Sequence, residues 1–411
     1  MELVSGSVNT ASSPIANGRE STSRALPVNG ALRILHILDR FGVGGTELVV
    51  LKLIRGLSEG WFEHRLASLR GMEPVLENVT LPGGELLVAG NRSNGFQFSV
   101  FRLAEMMRTY RPHVVHSRNW GAIESIPAAF LARVPVVIHS EHGYELDMLT
   151  GLPKRRRIFR RAAYSVTDAV VTVSRELRDY HARQAWLSPE RIRVIYNGVD
   201  TQTFVPRPEA RVMLRKRFGL PEQRFIAGTV GRMVPIKDHP TLLRAVEILA
   251  QRGIDAHALL VGSGPELERN EQFVKASSVL QGRVTFTGLS QEIPELLNTM
   301  DAFVLTSISE GMSNTLLEAM ATGLPLLATG VGGNTEVIEP EQTGWLFQPQ
   351  DAEALATRIA LLVSRENLRR DFGAAARTRA VERFSLSRML KEYADLYLEL
   401  AKRRGVAVGG R

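Results

Sequence analysis

Short apolar stretches of strand length alternate with helical stretches along most of the chain, in two separate series. In the first series the apolar stretches lie at 33–38, 113–117, 136–140, 169–174 and 193–197. In the second they lie at 225–231, 258–262, 284–288, 302–307 and 324–329, and only helical pattern follows residue 350. Short apolar strands separated by helices are typical of a parallel sheet covered on both faces. The sequence therefore predicts an α/β protein with two tandem Rossmann-like, doubly wound domains.

The segment NGVDTQTFVPRP (197–208) separates the two series, because an Asn-Gly turn and two prolines interrupt the alternation. We predict a first domain at 31–205, a second at 206–385, and a C-terminal helix and tail at 386–411 that pack back towards the first domain. Residues 1–30 are rich in Ser, Asn, Thr and Gly, which predicts a disordered tail. Ligands of such sheets bind outside the carboxyl ends of the strands, so we expect a site in the cleft between the domains.

Composition narrows the classes of partner. The 411 residues include no cysteine, which removes disulfides and thiolate metal sites and fits a reducing compartment. No signal peptide and no apolar run long enough for a transmembrane helix is found, so we expect a soluble, cytoplasmic protein. The net charge of +8 favours an anionic ligand, an anionic membrane surface or nucleic acid. Basic and aromatic residues do not interleave as in proteins that stack bases, so we do not expect nucleic acid as a partner.

Two glycine-rich loops follow predicted strands, FGVGGTE (41–47) and VGSGPEL (261–267). Neither has the third glycine of a dinucleotide-binding fingerprint, because Glu47 and Leu267 stand at that position. Both can bring backbone amides close to a phosphate or a sugar, and both can equally be tight turns without a ligand.

The segment ISEGMSNTLLEAM (308–320) carries two glutamates, Glu310 and Glu318. Ser313 or Asn314 predicts the N-cap of a short helix that starts where the strand 302–307 ends. The N-terminus of such a helix is suited to a diphosphate, with Glu318 within reach of ribose hydroxyls and Glu310 within reach of a sugar at the other end. Two solvated glutamates explain the same spacing, so the pair by itself is weak evidence for a nucleotide sugar.

A second cluster strengthens the nucleotide-sugar interpretation. GRMVPIKD (231–238) follows the first strand of the second series and places Arg232 and Lys237 at the same edge of the sheet. Two cations there can neutralise a leaving diphosphate without a metal ion. Either residue alone is equally typical of ordinary surface charge.

Taken together, these motifs resemble the retaining glycosyltransferases of family 4, which have the two-domain GT-B fold. The resemblance covers about residues 31–400 and rests on Gly44-Gly45, GRMVPIK, VGSGPE, the E-x7-E motif of 310–318, VGGNTEVI (331–338) and TGWLF (343–347). A subgroup linked to exopolysaccharide biosynthesis is the most similar. The resemblance implies that the first domain faces the acceptor and the second binds the donor.

The resemblance also implies a role for each matching residue. Arg232 and Lys237 hold the donor diphosphate, Glu310 contacts the transferred sugar, and His142 lies near the reacting sugar, although His116 and His139 also end predicted strands. The implied donor-binding residues are Gly44, Gly45, Gly262, Ser313, Asn314, Thr315, Leu316 and Glu318. The substrates are a UDP- or GDP-linked sugar and a glycan or lipid-linked acceptor, the configuration at the anomeric carbon is retained, and no cofactor is used.

The resemblance also implies that no metal ion is needed. Consistent with this, the sequence has no Asp-x-Asp motif of the kind expected in metal-dependent enzymes; Glu145-Leu-Asp147 is an imperfect version of it. The alternatives are another GT-B enzyme, such as a nucleotide-sugar epimerase or a phosphorylase, and a protein that binds sugar nucleotides without catalysis. Measuring donor turnover separates the last from the others.

The densest basic run is KRRRIFRR (154–161) in the first domain. On a helix, the positive charges wrap too widely to be buried, which predicts a solvated surface or a peripheral contact with anionic lipid at the inner face of the cell membrane. The candidate membrane-facing residues are Lys154, Arg155, Arg156, Arg157, Arg160 and Arg161.

Overall fold

Two parallel sheets, each covered by helices, form the protein. The computed structural model describes residues 30–42, 44–58, 60–71, 86–88, 96–144 and 152–407. The predicted disordered tail, apart from residue 30, and the imperfect Asp-x-Asp segment at 145–147 lie outside the described residues. No helix in the described part of the chain is long and apolar enough to cross a bilayer.

The first sheet has seven parallel strands in the order β3-β2-β1-β4-β5-β6-β7. They are β1 (Leu32–Leu38), β2 (Phe62–Ser68), β3 (Leu86–Val88), β4 (Val114–Arg118), β5 (Val136–Glu141), β6 (Ala169–Thr172) and β7 (Ile192–Val194). Its helices are α1 (Gly45–Leu57), α2 (Phe96–Tyr110), α3 (Ser125–Leu131), α4 (Lys154–Val166) and α5 (Arg175–Ala185). The core residues of α2 to α5 pack on one face of the sheet, and those of α1 pack on the other. Since both faces are covered, β4 to β6 are buried along their whole length.

The second sheet has six parallel strands in the order β10-β9-β8-β11-β12-β13. They are β8 (Phe225–Val230), β9 (Ala256–Val261), β10 (Val284–Gly288), β11 (Ala302–Leu305), β12 (Leu326–Thr329) and β13 (Gly344–Phe347). The helices are α6 (Arg211–Arg217), α7 (His239–Gln251), α8 (Leu267–Ala276), α9 (Ile293–Leu297), α10 (Asn314–Ala321), α11 (Asn334–Val337), α12 (Ala352–Ser364) and α13 (Glu366–Arg383). The prediction of two doubly wound parallel-sheet domains is confirmed.

The chain crosses between the sheets twice, and the two crossings are bonded to each other. The amide of Val199 donates to the carbonyl of Phe384 at 2.8 Å, and the amide of Leu386 donates back to Val199 at 2.8 Å. After the second crossing, α14 (Leu386–Arg403) covers the first sheet, with Tyr393 and Tyr397 buried in that core. The last helix therefore belongs to the packing of the first domain although it follows the second in sequence.

In each sheet the strand order reverses beside the first strand of its domain. The chain builds one half outward from β1 and the other outward from β4, and it repeats this with β8 and β11. The loops that leave such neighbouring strands diverge and open a crevice at their carboxyl ends. The loops after β8 and β11 contain the candidate residues Arg232, Lys237, Glu310 and Ser313.

Candidate active site

Lys237 and Glu310 form an ion pair at the crevice of the second sheet. Lys237 lies in the loop after β8, and its Nζ is 2.8 and 3.0 Å from the two carboxylate oxygens of Glu310 in the loop after β11. Further bonds hold the two loops together: the hydroxyl of Thr306 donates to the Lys237 carbonyl at 2.8 Å, and the Ile308 amide donates to Ile236 at 2.8 Å. The structure thus brings together two of the predicted catalytic residues, from strands that are adjacent in the sheet.

Arg232, the second predicted cation, lies two residues after the end of β8 and is exposed. Among the described residues, no hydrogen bond or ion pair holds its guanidinium. Within the described segments, Lys237 is thus paired with a carboxylate and Arg232 is not.

Ser313 caps the helix α10 that follows the second loop. Its backbone is extended, and its Oγ accepts a hydrogen bond from the amide of Leu316 at 3.2 Å. A phosphate would therefore have to compete with Ser313 for the Leu316 amide, which the resemblance assigned to phosphate binding. The amides of Asn314 and Thr315, in the first turn, complete the N-terminus of the helix.

Glu318, one turn further along α10, is buried, with 7% of its surface exposed. Burial raises the pKa of its carboxyl group to about 7, and the positive charge of Lys52 on α1 opposes that rise. A carboxylate at this depth can accept hydrogen bonds from neutral hydroxyls, as the resemblance to a ribose-binding glutamate requires.

The Gly44-Gly45 loop of the first domain lies against the same helix. The side-chain amide of Asn314 donates to the carbonyl of Gly45 at 3.3 Å, and a Cβ on Gly45 would lie 3.2 Å from that nitrogen. The predicted Gly-Gly loop therefore reaches the donor-side helix from the opposite domain.

His142 follows β5 and faces the loop of Glu310 across the cleft. Its amide donates to the side-chain oxygen of Asn119 at 2.8 Å, and its carbonyl lies so close to Gly311 that a Cβ there would be 2.2 Å away. Both ring nitrogens are buried, and within the described residues neither has a hydrogen-bond partner. Burial and the charge of Arg118 lower the pKa of the imidazole to about 3, so the ring is neutral at pH 7.

The two other candidate histidines are core residues. His116 is held between the Ser140 hydroxyl at 2.6 Å and the Tyr397 hydroxyl at 2.8 Å. His139 bonds Ser117 at 2.8 Å. Both are fully buried, which leaves His142 as the histidine of this group that borders the cleft.

Two glycines allow loops to approach each other around the site. A Cβ on Gly262 would lie 2.0 Å from the carbonyl oxygen of Gly231, and a Cβ on Gly332 would lie 1.6 Å from that of Glu310. Both have positive φ, +134° and +53°. Gly262, predicted as a donor-binding residue, here brings the loop after β9 against the loop that carries Arg232, and Gly332 supports the Glu310 loop.

The expectation that the basic run 154–161 cannot be buried is wrong. The run begins α4, where Arg160 is fully buried and Arg156 is half-buried against the ring of Trp120, at 4.3 Å from its centroid. Arg157 donates to the carbonyls of Arg183 and Gln184 at the end of α5 and stacks on Trp186.

Aromatic faces and helix-end carbonyls thus receive part of the positive charge of this run, interactions that offset the desolvation of a guanidinium. The cations of the run that are exposed are Lys154, Arg155 and Arg161. Even Arg161 bonds the carbonyl of Trp186.

Sequence reasoning missed Lys52 and Asn119. Lys52 is the one charged residue in the apolar segment LVVLKLI of α1, and this isolated charge could have indicated it. Asn119 has φ +57°, and its side chain joins the loop of His142 to Thr46, whose hydroxyl accepts from it at 3.2 Å. No local pattern distinguishes Asn119 from other asparagines in turns.

The site combines two cations, a helix N-terminus, a neutral histidine and two carboxylates around one interdomain cleft. In the described part of the chain, no group of three or more His, Asp or Glu side chains is placed to hold a metal ion. Such a site is suited to a ligand with a diphosphate in the middle and hydroxyls at both ends.

Two Rossmann-like domains with a ligand cleft between their strand ends define a GT-B protein, and comparisons with known proteins agree. Residues 43–203 match the family described as Glycosyltransferase Family 4, and residues 212–379 match Glycosyl transferases group 1. The crystal structure of Anabaena HepE in complex with UDP superimposes with a TM-score of 0.76 at 22% identity, covering 90% of this chain and 100% of that one.

Two curated relatives support the same family. The chain is 31% identical over 275 residues to the GDP-mannose-dependent alpha-(1-6)-phosphatidylinositol monomannoside mannosyltransferase of Mycobacterium tuberculosis, covering 64% of this chain and 70% of that protein. It is 26% identical over 311 residues to the UDP-Gal:alpha-D-GlcNAc-diphosphoundecaprenol alpha-1,3-galactosyltransferase of Escherichia coli, covering 74% and 79%. The chain belongs to glycosyltransferase family 4 and is a glycosyltransferase.

Proposed function

We propose that the protein is a retaining, metal-independent glycosyltransferase that moves a sugar from a UDP- or GDP-linked donor to an acceptor hydroxyl. The observation that carries the proposal is the Lys237–Glu310 pair, 2.8 Å apart, beside the capped N-terminus of α10. A cation, a carboxylate and helix amides at one strand-end crevice match a sugar diphosphate. UDP and GDP are supported by the names of relatives, which use UDP-Gal and GDP-mannose.

Donor binding divides between the two domains. Arg232, Lys237 and the first amides of α10 hold the diphosphate, and the Gly44-Gly45 loop approaches it from the first domain. When phosphate oxygens attract Lys237, its ion pair with Glu310 weakens, and Glu310 accepts hydrogen bonds from the transferred sugar. Glu318 accepts hydrogen bonds from the ribose hydroxyls.

In the transfer step, the bond between the anomeric carbon and the diphosphate oxygen breaks, and a bond to the acceptor oxygen forms on the same face of the sugar. The acceptor proton passes to the departing diphosphate oxygen. Arg232 and Lys237 stabilise the charge that develops there. The neutral His142 exchanges hydrogen bonds with sugar hydroxyls and takes no net proton, because its pKa of about 3 keeps it uncharged at pH 7.

The cations and amides around the diphosphate make a metal ion and any other cofactor unnecessary for this step. The test is calorimetric titration of the purified protein with UDP and GDP in the presence of EDTA. We expect binding of one of them with unchanged affinity when Mg²⁺ or Mn²⁺ is added. Binding that requires either ion would refute metal independence.

A panel of UDP- and GDP-sugars with candidate acceptors then tests the reaction itself. Release of nucleotide together with an acceptor product of unchanged anomeric configuration supports the proposal. Binding without turnover of any donor would favour a sugar-nucleotide-binding protein, and an altered free sugar nucleotide would favour an epimerase. Release of a sugar phosphate would favour a phosphorylase.

The acceptor is a glycan or a lipid-linked glycan, in exopolysaccharide or related glycolipid synthesis in the cytoplasm. The names of the two relatives support it, since each refers to a lipid-linked acceptor. Peripheral contact with the inner face of an anionic membrane is part of the proposal. It is supported by the exposed Lys154 and Arg155 next to Ile158, which is 59% exposed on the same helix.

A further inference from the structure

Lys52 projects from the otherwise apolar stretch of α1 towards the boundary between the two domains. It is half-buried, and its Nζ donates to the carbonyl of Gly198 at 2.7 Å and faces the side-chain oxygen of Asn314 at 3.5 Å. Gly198 lies in the first crossing between domains and Asn314 begins α10. One side chain of the first domain's helix α1 therefore contacts both the crossing segment and the donor-side helix.

Lys52 lies where several contacts between the two domains meet. The crossing segment that Lys52 bonds is also paired with the second crossing through Val199 and Leu386. Asn314 makes a further bond to the Gly45 carbonyl. The orientation of α10 relative to α1 therefore depends on contacts that converge on Lys52 and Asn314.

Lys52 also supplies charge to Glu318, which lies one turn after Asn314 on α10. The charge of Lys52 on α1 acts on Glu318. Lys52 is in turn attracted by Glu318 and by Asp200 in the crossing segment. Burial raises the pKa of Glu318 and lowers that of Lys52, and their mutual attraction opposes both shifts. Without a facing cation, a carboxyl group this deeply buried stays protonated at neutral pH.

We infer that Lys52 is a positioning residue for ribose recognition: held across the domain boundary by Gly198 and Asn314, its ammonium group supplies the positive charge that faces the ribose-binding carboxylate. The inference rests on the proposed function, in which Glu318 accepts hydrogen bonds from the ribose hydroxyls. Because Lys52 and Glu318 belong to different domains, ribose recognition is complete only when the domains are in contact. A protonated Glu318 can accept fewer hydrogen bonds and binds the hydroxyls less strongly.

The test compares the nucleoside diphosphate that binds in the titrations above, written here as UDP and replaced by GDP if GDP is the one bound, with its 2′,3′-dideoxy analogue, which keeps the diphosphate and lacks the hydroxyls. Calorimetric titrations near pH 7 and near pH 9, with EDTA, use the wild type, Lys52→Met and Lys52→Arg. Lys275→Met, an exposed lysine on α8, is the matched control. We expect Lys52→Met to weaken UDP binding about five- to tenfold near pH 7, the change that a rise of about one pKa unit in Glu318 produces.

Three further results belong to the expectation. The loss for Lys52→Met shrinks near pH 9, binding of the dideoxy nucleotide is unchanged, and Lys52→Arg, which keeps the charge, recovers part of the affinity. Equal losses for both nucleotides would mean a merely structural role for Lys52 and would overturn the inference, as would unchanged UDP binding. If Lys52→Met does not fold, Lys52→Gln is measured against Lys52→Arg with the same criteria.

Glu318→Gln separates failure of the inference from failure of the proposed function. If Glu318→Gln abolishes the preference for UDP over the dideoxy nucleotide and Lys52→Met retains it, only the role of Lys52 is refuted. If Glu318→Gln leaves the preference intact, the ribose role of Glu318 itself is wrong. In the double variant we expect no further loss from Lys52→Met, since both changes act on the same carboxylate.

Discussion

Replacing Glu318 with Gln is expected to stabilise the ligand-free protein above pH 7 while weakening nucleotide binding. The carboxyl group of Glu318 is buried, and its pKa is about 7 in the folded protein against an ordinary 4.5. Between these values the folded state holds a proton that the unfolded chain has released. Between these two values the free energy of unfolding of the wild type therefore falls as the pH rises, and a glutamine, which does not ionise, avoids that loss.

The pKa shift of Glu318 sets the size of the expected gain in stability. One pKa unit corresponds to about 1.4 kcal/mol, so the rise from 4.5 to about 7 amounts to about 3 kcal/mol. The sign follows from a raised pKa: the favourable contribution is complete below pH 4.5 and is lost as the pH rises through 7. Glu318→Gln also removes the carboxylate that attracts Lys52, which reduces the expected gain to about 1–3 kcal/mol.

Urea unfolding followed by circular dichroism, at several values between about pH 5 and pH 8, measures this directly. The difference between Glu318→Gln and wild type should be smallest at the acid end, grow up to about pH 7 and level off above it. Glu382→Gln, an exposed residue of α13, is the control and should show no such growth. A Glu318→Gln protein that is less stable than the wild type at pH 8, or a difference that does not change with pH, would refute the reasoning. The same variant should bind UDP more weakly, a trade of function for stability.

Three further predictions concern the rest of the site and the surface. Lys237→Ala should lower turnover about 100-fold or more, as for other lost transition-state charge contacts, whereas the exposed Lys275→Ala should not; full activity in Lys237→Ala would remove Lys237 from the mechanism. Gly332→Ala should lower both the melting temperature and turnover, because its Cβ would lie 1.6 Å from the Glu310 carbonyl at a φ of +53°; an unaffected enzyme would show that this contact is relieved without moving Glu310. Lys154→Glu combined with Arg155→Glu should reduce co-sedimentation with anionic vesicles at low salt, since each engaged cation contributes about 1 kcal/mol. The control double variant is Lys275→Glu with Arg269→Glu in the second domain. If both double variants co-sediment with vesicles as much as the wild type does, the α4 surface does not bind membranes.

Much of the fold could be predicted because most of its strands contain a short run of apolar residues. The strands that the alternation did not reveal include β2, whose sequence FEHRLAS carries Glu63, His64 and Arg65. His64 is nevertheless buried, because its ring stacks on His36 of β1 and the two rings share a hydrogen bond of 2.9 Å. A pair of polar side chains that bond each other inside a core breaks the hydrophobic pattern from which strands are recognised.

The parts of the site that could be predicted are local in sequence. The Ser313 cap depends on a residue three positions away, and the strand-end loops of Lys237 and Glu310 follow from the order of strands. The contacts that could not be predicted join distant segments. The guanidiniums of Arg156 and Arg157 lie on Trp120 and Trp186, in other helical segments of the first domain, and nothing near the basic run in sequence indicates those aromatic partners.

Both glutamates of ISEGMSNTLLEAM face a lysine, but the two lysines come from different domains. Glu310 is paired with Lys237 inside the second domain, so this pair persists whatever the angle between the domains. Glu318 depends on Lys52 of the first domain, so its charge and its alignment change when the domains separate. In the proposed donor site, the second domain's part of the diphosphate and sugar end is therefore preformed, whereas the ribose end is completed by domain contact. It follows that an open form should retain affinity for a sugar diphosphate and lose the preference for a ribose with both hydroxyls. The donor can therefore bind before the two domains close.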